Sequence, residues 1–217
     1  MALNILAPEI IWFTPSDEYL DDPASTLSAV HEHSVHKGMI GSYYGIDLCN
    51  PEINVWIMAW KSLTHHQCFM QEESYIDFIL PVMDAMVGTG KITQVSFNNL
   101  LDFQRALSSP LTQFIYVTVR PLHDREYELE PLVKMIRNEL RSIPGCLASS
   151  WGSSVEDDHL ELGVVGWRSL ADRDNAVQGR TRLASLIHRV NELSNVELRY
   201  AKLRRYRDDA IDITVAS

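Results

Sequence analysis

Apolar and polar positions fall into two blocks that predict the same order of elements. Runs of β-branched and aromatic residues predict strands, and apolar residues at spacings of three and four predict helices. In the first block we expect strands at Glu9–Phe13, Met39–Ile46, Val55–Trp60 and Ile92–Phe97, and helices at Ala24–His36 and Leu63–Met86. In the second we expect strands at Phe114–Arg120, Leu147–Gly152, Leu160–Trp167 and Val196–Leu203, and helices at Glu128–Ser142 and around Leu183–Val190. Each block therefore reads β-α-β-β-α-β, the ferredoxin-like order.

The two blocks are copies of one unit. Seven residues of the first block recur in the second in the same order, each separated from its match by the same number of positions as residues 38 and 145. They are Gly38/Gly145, Ser42/Ser149, Gly45/Gly152, Trp60/Trp167, Ser62/Ser169, Leu63/Leu170 and Gln71/Gln178. We therefore divide the chain into a first repeat (1–100), a linker (101–111), a second repeat (112–207) and a C-terminal tail (208–217). Positions where the copies agree are expected to serve the fold, and positions where they differ to serve chemistry.

The third strand of each repeat is apolar on both faces. Side chains alternate along a strand, so one face of the first copy holds Val55, Ile57 and Ala59 and the other holds Trp56, Met58 and Trp60. A sheet with one wet face would alternate apolar and polar residues. We therefore expect the helices to cover one face and the other repeat's sheet to cover the second. The predicted fold class is α+β, with two ferredoxin-like sheets closing into one intramolecular barrel.

The end of the third strand carries a resemblance to a known family. Ala59–Leu63 and Gly166–Leu170 (AWKSL and GWRSL) open into the second helix as in the dimeric α+β barrel superfamily, and the chain resembles a fused tandem of its antibiotic-biosynthesis-monooxygenase-like domains. The resemblance implies cofactor-free oxygenation, cyclisation, isomerisation or decarboxylation of hydrophobic compounds, haem chemistry, or a non-catalytic stress role. Haem-degrading relatives pair this Trp with a His ten residues later, where this chain has Met70 and Val177.

Composition limits the partners. The formal charge of −10 argues against nucleic acid, and the three cysteines are too scattered for a disulfide framework or a zinc motif. The apolar start lacks a basic leader region, and no apolar run reaches membrane-spanning length, so we expect a cytoplasmic protein without membrane contact. We expect no cofactor and no metal, because phosphate loops, dinucleotide fingerprints and CxxC motifs are missing from the sequence. A monomeric barrel is expected, and further homodimerisation stays open.

The first helix is where the copies contrast most. At the same offset, His33 and His36 match Leu140 and Ile143, which would place two imidazoles in the crevice between helix and sheet. Imidazole titrates near neutral pH and suits proton transfer. A register shifted by one residue instead turns Leu27, Val30 and Ser34 inward and leaves His33 in solvent. Both registers remain open, and three histidines in this helix lack the spacing of a known metal site.

The candidate pocket is placed in the first repeat. Besides His33 and His36 as acid/base groups, we expect Tyr44 as a hydrogen-bond donor and a pocket shaped by Trp60, Trp56, Phe69 and Met83. The second repeat is smaller at several matching positions, including Gly163 for Trp56 and Ala176 for Phe69. These small residues either leave room for a ligand in the second repeat or admit large side chains from the first. His65 and His66 are expected on the surface.

Together these patterns predict an enzyme that acts on a hydrophobic small molecule by acid/base chemistry, without a bound cofactor. The reaction is expected to be a cyclisation, isomerisation, decarboxylation or substrate-driven oxygenation, of the kind found in secondary-metabolite biosynthesis. The alternatives are a haem-binding or haem-degrading barrel, and a ligand-binding stress-type barrel without chemistry.

Overall fold

The computed structural model describes residues 6–178 and 181–206. These residues form the strands β1 (Glu9–Phe13), β2 (Met39–Asp47), β3 (Asn54–Trp60), β4 (Lys91–Phe97), β5 (Leu111–Val119), β6 (Cys146–Ser154), β7 (Leu160–Trp167) and β8 (Ser194–Arg205). The helices are α1 (Asp17–Asp21), α2 (Pro23–Ser34), α3 (Leu63–Met70), α4 (Tyr75–Asp84), α5 (Leu100–Leu107), α6 (Glu130–Leu140), α7 (Leu170–Val177) and α8 (Arg182–Leu193). The predicted tail, Asp208–Ser217, lies outside the described residues.

The strands form one closed antiparallel barrel in the order β1-β3-β2-β8-β5-β7-β6-β4, with β4 returning to β1. Within the first repeat the order is β4-β1-β3-β2, and within the second it is β8-β5-β7-β6. These two orders are the same when each repeat is numbered from its own first strand. The predicted pair of ferredoxin-like sheets, closed into a single α+β barrel, is confirmed.

Two repeated glycines explain how the sheets join. The barrel closes where β2 pairs with β8 and where β4 pairs with β6. Gly45 lies opposite Leu203 at one junction and Gly152 lies opposite Phe97 at the other. A Cβ at either glycine would collide with a backbone carbonyl oxygen, that of Lys202 or of Ser96. The close approach of two strands therefore requires glycine at both positions.

The third strands face two different cores, as the pattern of apolar residues predicted. Val55, Ile57 and Ala59 belong to the core inside the barrel. Trp56, Met58 and Trp60 belong to the core between the first sheet and its helices. In the second repeat Leu162 and Val164 point inward, while Val165 and Trp167 pack under helices. The barrel interior is thus filled, and the spaces between sheet and helices lie outside it.

Two helical predictions need correction. The single helix expected over Leu63–Met86 is two helices, α3 and α4, separated by the turn at residues 71–74. In the second repeat α8 covers the predicted Leu183–Val190, and α7 precedes it as a helix that the sequence did not predict. Ser62 and Ser169, a repeated pair, begin α3 and α7 by accepting hydrogen bonds from the backbone N–H of His65 and Asp172.

The segment between the repeats is partly helical. Most of it forms α5, whose Phe103, Ala106 and Leu107 are fully buried in the core inside the barrel. Gly166 lets this helix approach β7, because a Cβ there would lie 2.8 Å from the Cα of Ala106. The connection between the repeats therefore contributes to the barrel core. Among the helices of the described ranges, none combines the length and the apolar character needed to cross a membrane.

Candidate active site

Each repeat ends its third strand with a buried tryptophan whose indole points toward the helices. Trp60 Nε1 donates to Glu9 Oε2 at 3.2 Å, and Trp167 Nε1 donates to Gln113 Oε1 at 2.9 Å. Glu9 lies on β1 and Gln113 on β5, the first strands of their repeats. The repeats therefore hold the same indole in the same place but differ in its acceptor, a carboxyl group in one and a carboxamide in the other.

Two further positions complete a related group in each repeat. The fourth strand places Gln94 opposite Glu9 and Tyr200 opposite Gln113. The fourth residue of the helix after the tryptophan is His66 in α3 and Arg173 in α7. We call these two sets the first quartet (Glu9, Trp60, His66, Gln94) and the second quartet (Gln113, Trp167, Arg173, Tyr200).

Within the first quartet, Glu9 and His66 form a buried acid/base pair. The His66 ring stacks on the Trp60 indole with centroids 4.4 Å apart, its Nδ1 lies 3.0 Å from Gln94 Nε2, and its Nε2 lies 3.5 Å from Glu9 Oε2. Burial raises the pKa of Glu9 to about 7, although the Trp60 hydrogen bond opposes the rise. Burial lowers the pKa of His66 to about 4, opposed by the Gln94 hydrogen bond. Both side chains are therefore neutral at mildly acidic pH.

Aromatic rings fill the space beside the first quartet. Trp56, Phe69 and Phe78 are buried to 1% exposure or less. Phe69 and Phe78 contact the Trp60 ring at centroid distances of 5.9 and 5.7 Å. The predicted pocket of the first repeat is thus packed with its own side chains.

The second quartet is connected differently. Gln113 Nε2 donates to the Tyr200 hydroxyl at 3.2 Å, so both ends of this amide are hydrogen-bonded. The Arg173 guanidinium lies 5.5 Å from the Tyr200 ring centroid, and its Nη1 donates to Asp174 Oδ1 at 2.9 Å. Burial raises the pKa of Tyr200, opposed by the charge of Arg173. This group carries a fixed positive charge where the first quartet carries a neutral imidazole.

A cavity of about 210 Å³ adjoins the second quartet, between the outer face of the second sheet and helices α6, α7 and α8. Its walls are mostly apolar: Ile115, Val117, Val133, Ile136, Leu140, Val165, Val177, Leu183, Ile187, Val190, Val196 and Leu198. Its polar lining side chains are Gln113, Trp151, Trp167, Arg173 and Asn191. Asn191 and Leu198 are exposed, so one side of the cavity meets solvent. A largely apolar concave site with a few fixed polar groups is typical of a binding site for a small molecule.

Gly163 admits a tryptophan of its own repeat. It stands where the first repeat has Trp56, since these residues pair with Trp151 and Tyr44 respectively. The Trp151 ring lies over Gly163, so that a Cβ there would be 2.6 Å from it. The space that this small residue leaves is therefore taken by Trp151, and neither Gly163 nor Ala176 lines the cavity.

Two hydrogen-bond donors of the cavity lining are buried without a partner. They are Arg173 Nε and Trp151 Nε1. An unmade hydrogen bond at a buried polar atom costs about 1–3 kcal/mol, and such an atom in a native structure calls for a ligand, a water molecule or another explanation. Both atoms are donors, so the group that completes this site must supply acceptors.

The residues predicted for the site come together only in part: Trp60 contacts Phe69, and His36 lines a surface groove together with Phe69. His33 and His36 are exposed, and the buried side of α2 is formed by Leu27, Val30 and Ser34, which is the shifted register. Their catalytic role stays a prediction that this placement does not support. Ser34 is accommodated in the core because its hydroxyl donates to the Val30 carbonyl at 2.6 Å.

The predicted pocket residues are divided between core and surface. Tyr44 is half-buried against the helices, while Trp56, Trp60 and Phe69 are buried in the core of the first repeat. Met83 is 59% exposed and lies outside that core. The expectation that His66 lies on the surface is wrong, since only 2% of it is exposed.

Sequence reasoning missed the residues of both quartets other than the tryptophans. The sequence does match His66 to Arg173 at the offset between the repeats. The charged residues beside this position suggested an exposed surface, so the match was not interpreted as a site. Glu9 and Gln113 fall at a slightly different offset from the other pairs, because the segments between the first and third strands differ in length. Only the register of the strands brings them to the same position.

The cavity does not fit a haem or a metal site. The lining residues include no His, Cys, Met or Tyr, the side chains that supply an axial ligand to haem iron. Within residues 6–178 and 181–206, no group of three or more His, Cys, Asp or Glu side chains is placed to hold a metal ion.

Comparison with known proteins places the fold. The sequence matches no known family and no curated protein. Among solved structures, the chain is similar to a candidate monooxygenase from Fusobacterium nucleatum, with a TM-score of 0.70 at 9% identity over 96% of both chains. It is also similar to an anthrone oxidase-like protein (TM-score 0.68, 12% identity, 93% of both chains). A candidate chlorite dismutase matches with a TM-score of 0.58 at 10% identity, over 93% of this chain and 95% of the other.

These similarities extend over both repeats, so they concern the whole barrel. The chain has the same fold as these proteins, and in it two ferredoxin-like repeats close into one eight-stranded α+β barrel. The resemblance seen in the sequence is confirmed for the fold. At these low identities the comparison does not transfer an activity.

Proposed function

We propose that the cavity of the second repeat binds a hydrophobic small molecule and that the protein oxygenates it without a bound cofactor. The observation that carries the proposal is the lining of the cavity. It joins apolar walls to two unpartnered donors, Arg173 Nε and Trp151 Nε1, and Arg173 is its only ionisable member among the residues that the structure describes. The names of the structural neighbours support an oxygenase, and the low identity leaves the substrate open.

The lining also favours oxygenation over two of the other reactions expected from the sequence, cyclisation and isomerisation. Cyclisation and isomerisation need a general acid or base within reach of the substrate. The described lining offers no carboxyl group or imidazole for this purpose. A substrate that ionises readily can itself reduce dioxygen, and the protein then has to bind it, exclude water and stabilise its negative charge. For a reactive methylene the reaction balances as CH2 plus O2 giving C=O plus H2O.

Each group of the site has a part in this scheme. The apolar walls hold the hydrocarbon part of the substrate. Arg173 and Trp151 donate hydrogen bonds to the negatively charged oxygen atoms of the substrate. Trp167 and Gln113 hold each other in place, so Trp167 acts as a fixed wall. The stabilisation is preorganised because Trp151 is buried and Arg173 is held by Asp174 before the substrate enters.

The test uses 1,3-indandione, a compound of two fused rings with a reactive methylene that matches the size of the cavity. We expect the protein to accelerate oxygen uptake, with one molecule of dioxygen consumed for each molecule of the 1,2,3-trione formed. Val117→Phe should abolish the acceleration, because it places in the cavity the side chain that Phe13 provides at the matching position of the first repeat. Val87→Phe, at an exposed site, is the matched control and should keep it.

A folded Val117→Phe variant that reacts as fast as the wild type would contradict the proposal. If that variant does not fold, Ile187→Phe fills the same cavity from the half-buried α8 wall. Equal rates with and without protein would also contradict oxygenation of this class of substrate. Binding of the probe, followed by quenching of tryptophan fluorescence, separates a failure of binding from a failure of reaction.

A further inference from the structure

We infer that the ligand of the second repeat is a hydrophobic carboxylate, held by the guanidinium edge of Arg173 that includes Nε. The inference rests on the proposed binding site and goes further by giving the chemical class of the ligand. It is carried by the hydrogen bonds of Arg173, by the donors that line the cavity, and by the exchange of charged groups between the two quartets.

The guanidinium of Arg173 is held in one orientation with one edge free. Its Nη1 donates to Asp174 Oδ1, and its plane lies near the Tyr200 ring. Nε is buried and has no partner. An arginine binds a planar carboxylate best through two parallel N–H groups on one edge. The edge that contains Nε is thus oriented before a ligand arrives.

The hydrogen-bond donors of the lining that have no partner favour a ligand with hydrogen-bond acceptors. Trp151 Nε1 is a second buried donor without a partner. Gln113 adds no acceptor, because its oxygen is bonded to Trp167 and its nitrogen to Tyr200. A ligand that offers oxygen atoms without hydrogens can satisfy both free donors. A carboxylate has this composition, whereas a carboxamide brings a donor of its own.

The charge of the site also favours an anion. Within the described part of the lining, Arg173 is the only ionisable residue, and its side chain is 19% exposed. Its partner Asp174 is 42% exposed, and ion pairs at such exposed positions are weak. Although the whole protein is acidic, an anion inside this cavity would lie beside the positive charge of Arg173, which Asp174 neutralises only weakly.

The first repeat shows what has been exchanged. In the first repeat, the neutral His66 occupies the position of Arg173. Glu9, whose carboxyl group repels an anion when it is ionised, occupies the position of Gln113. In the second repeat the acid has become an amide and the imidazole has become a permanent cation. Both replacements change the site in the direction that anion binding requires, and they occur in the repeat that has the cavity.

The size of the cavity limits the hydrocarbon part. A dry cavity of about 150 Å³ accommodates benzene. The space here is about 210 Å³ and opens on one side, so it suits a substituted single ring or a fused pair of rings. We therefore expect an aromatic or similarly compact monocarboxylate.

Binding of 2-naphthoate and of 2-naphthamide tests the inference. These two probes share shape and hydrocarbon area, so their difference reports the charged group. By calorimetry at pH 7 the wild type should bind the carboxylate about 10- to 100-fold more tightly than the amide, the range for hydrogen bonds to a charged group. In Arg173→Gln the carboxylate should bind no better than the amide. Arg182→Gln, an exposed site in the same repeat, should behave as the wild type.

The outcomes separate the two proposals. Equal binding of both probes to the wild type would overturn the inference and leave the cavity as a binding site for neutral compounds. Failure of both probes to bind would overturn the inference and the proposed site together. The comparison of the two probes in the wild type does not depend on the folding of any variant. Arg173→Lys keeps the charge but loses the planar edge, and it should retain only part of the preference for the carboxylate over the amide.

Discussion

Glu9→Gln should change the way in which the stability of the fold depends on pH. The pKa of Glu9 is raised by burial from 4.5 to about 7, so the folded protein keeps a proton that the unfolded chain loses. Its contribution to stability is complete below pH 4.5 and is lost as the pH rises toward 7. At about 1.4 kcal/mol per pH unit, the loss over this interval is about 3 kcal/mol.

His66 acts in the opposite sense. Burial lowers its pKa from 6.5 to about 4, so the unfolded chain takes up a proton that the folded protein refuses. Its contribution is complete above pH 6.5 and is lost as the pH falls toward 4, again by about 3 kcal/mol. Between pH 4.5 and 6.5 the two effects have opposite slopes, so in the wild type this pair contributes little net pH dependence.

Replacing Glu9 leaves the contribution of His66 to the pH dependence of the free energy of unfolding without an opposing effect. In Glu9→Gln the free energy of unfolding should fall by about 1.4 kcal/mol per pH unit, relative to the wild type, as the pH is lowered from 6.5 to 4.5. The variant is expected to fold, because Gln113 already accepts the equivalent hydrogen bond from Trp167 in the second repeat. Urea titrations at several pH values, followed by far-ultraviolet circular dichroism, measure the slope.

Glu73→Gln removes a carboxyl group from an exposed position and serves as the matched control. It should follow the wild-type profile. If Glu9→Gln also followed the wild-type profile from pH 4.5 to 6.5, the opposed titration of Glu9 and His66 would be refuted.

Two further predictions concern the barrel core. Phe103→Ala on α5 should reduce the free energy of unfolding by about 3–5 kcal/mol, whereas Leu101→Ala, 71% exposed on the same helix, should change it by about 0.5 kcal/mol or less. Equal effects in urea titrations would mean that α5 is not part of the core. Trp12→Phe removes the indole N–H that donates to the buried Tyr116 hydroxyl at 2.7 Å, and should cost about 1–3 kcal/mol by the same measurement. A Trp12→Phe variant as stable as the wild type would show that this hydrogen bond is dispensable.

The barrel could be predicted because its evidence is local and repeated. Alternation along Val55–Trp60 assigns each side chain to a face, and a strand that is apolar on both faces needs two covers. The order of elements was given twice, which reduces the chance of a wrong assignment. The linker helix α5 was missed, although Phe103, Ala106 and Leu107 have a helical spacing, because eleven residues between two repeats suggest a connection more readily than a core element.

The site was harder to predict because it depends on small shifts and on long-range packing. The sequence left two registers of α2 open, one residue apart, since alanine, serine and histidine occupy both sides of that helix and give it little amphipathic character. Its inner face includes Ser34, which is satisfied by a backbone carbonyl that the sequence does not reveal. The cavity lining includes Trp151, and only the structure shows that the ring of this residue lies over Gly163.

The closure of the barrel within one chain has a consequence for its assembly. None of the eight described strands has a free edge, although segments such as Val55–Trp60 would be prone to pair with other chains if an edge were exposed. In a barrel made of two separate subunits, the junctions that protect these edges would be lost on dilution. Here the second half is tethered to the first, so both junctions form at a high effective concentration that does not depend on how much protein is present.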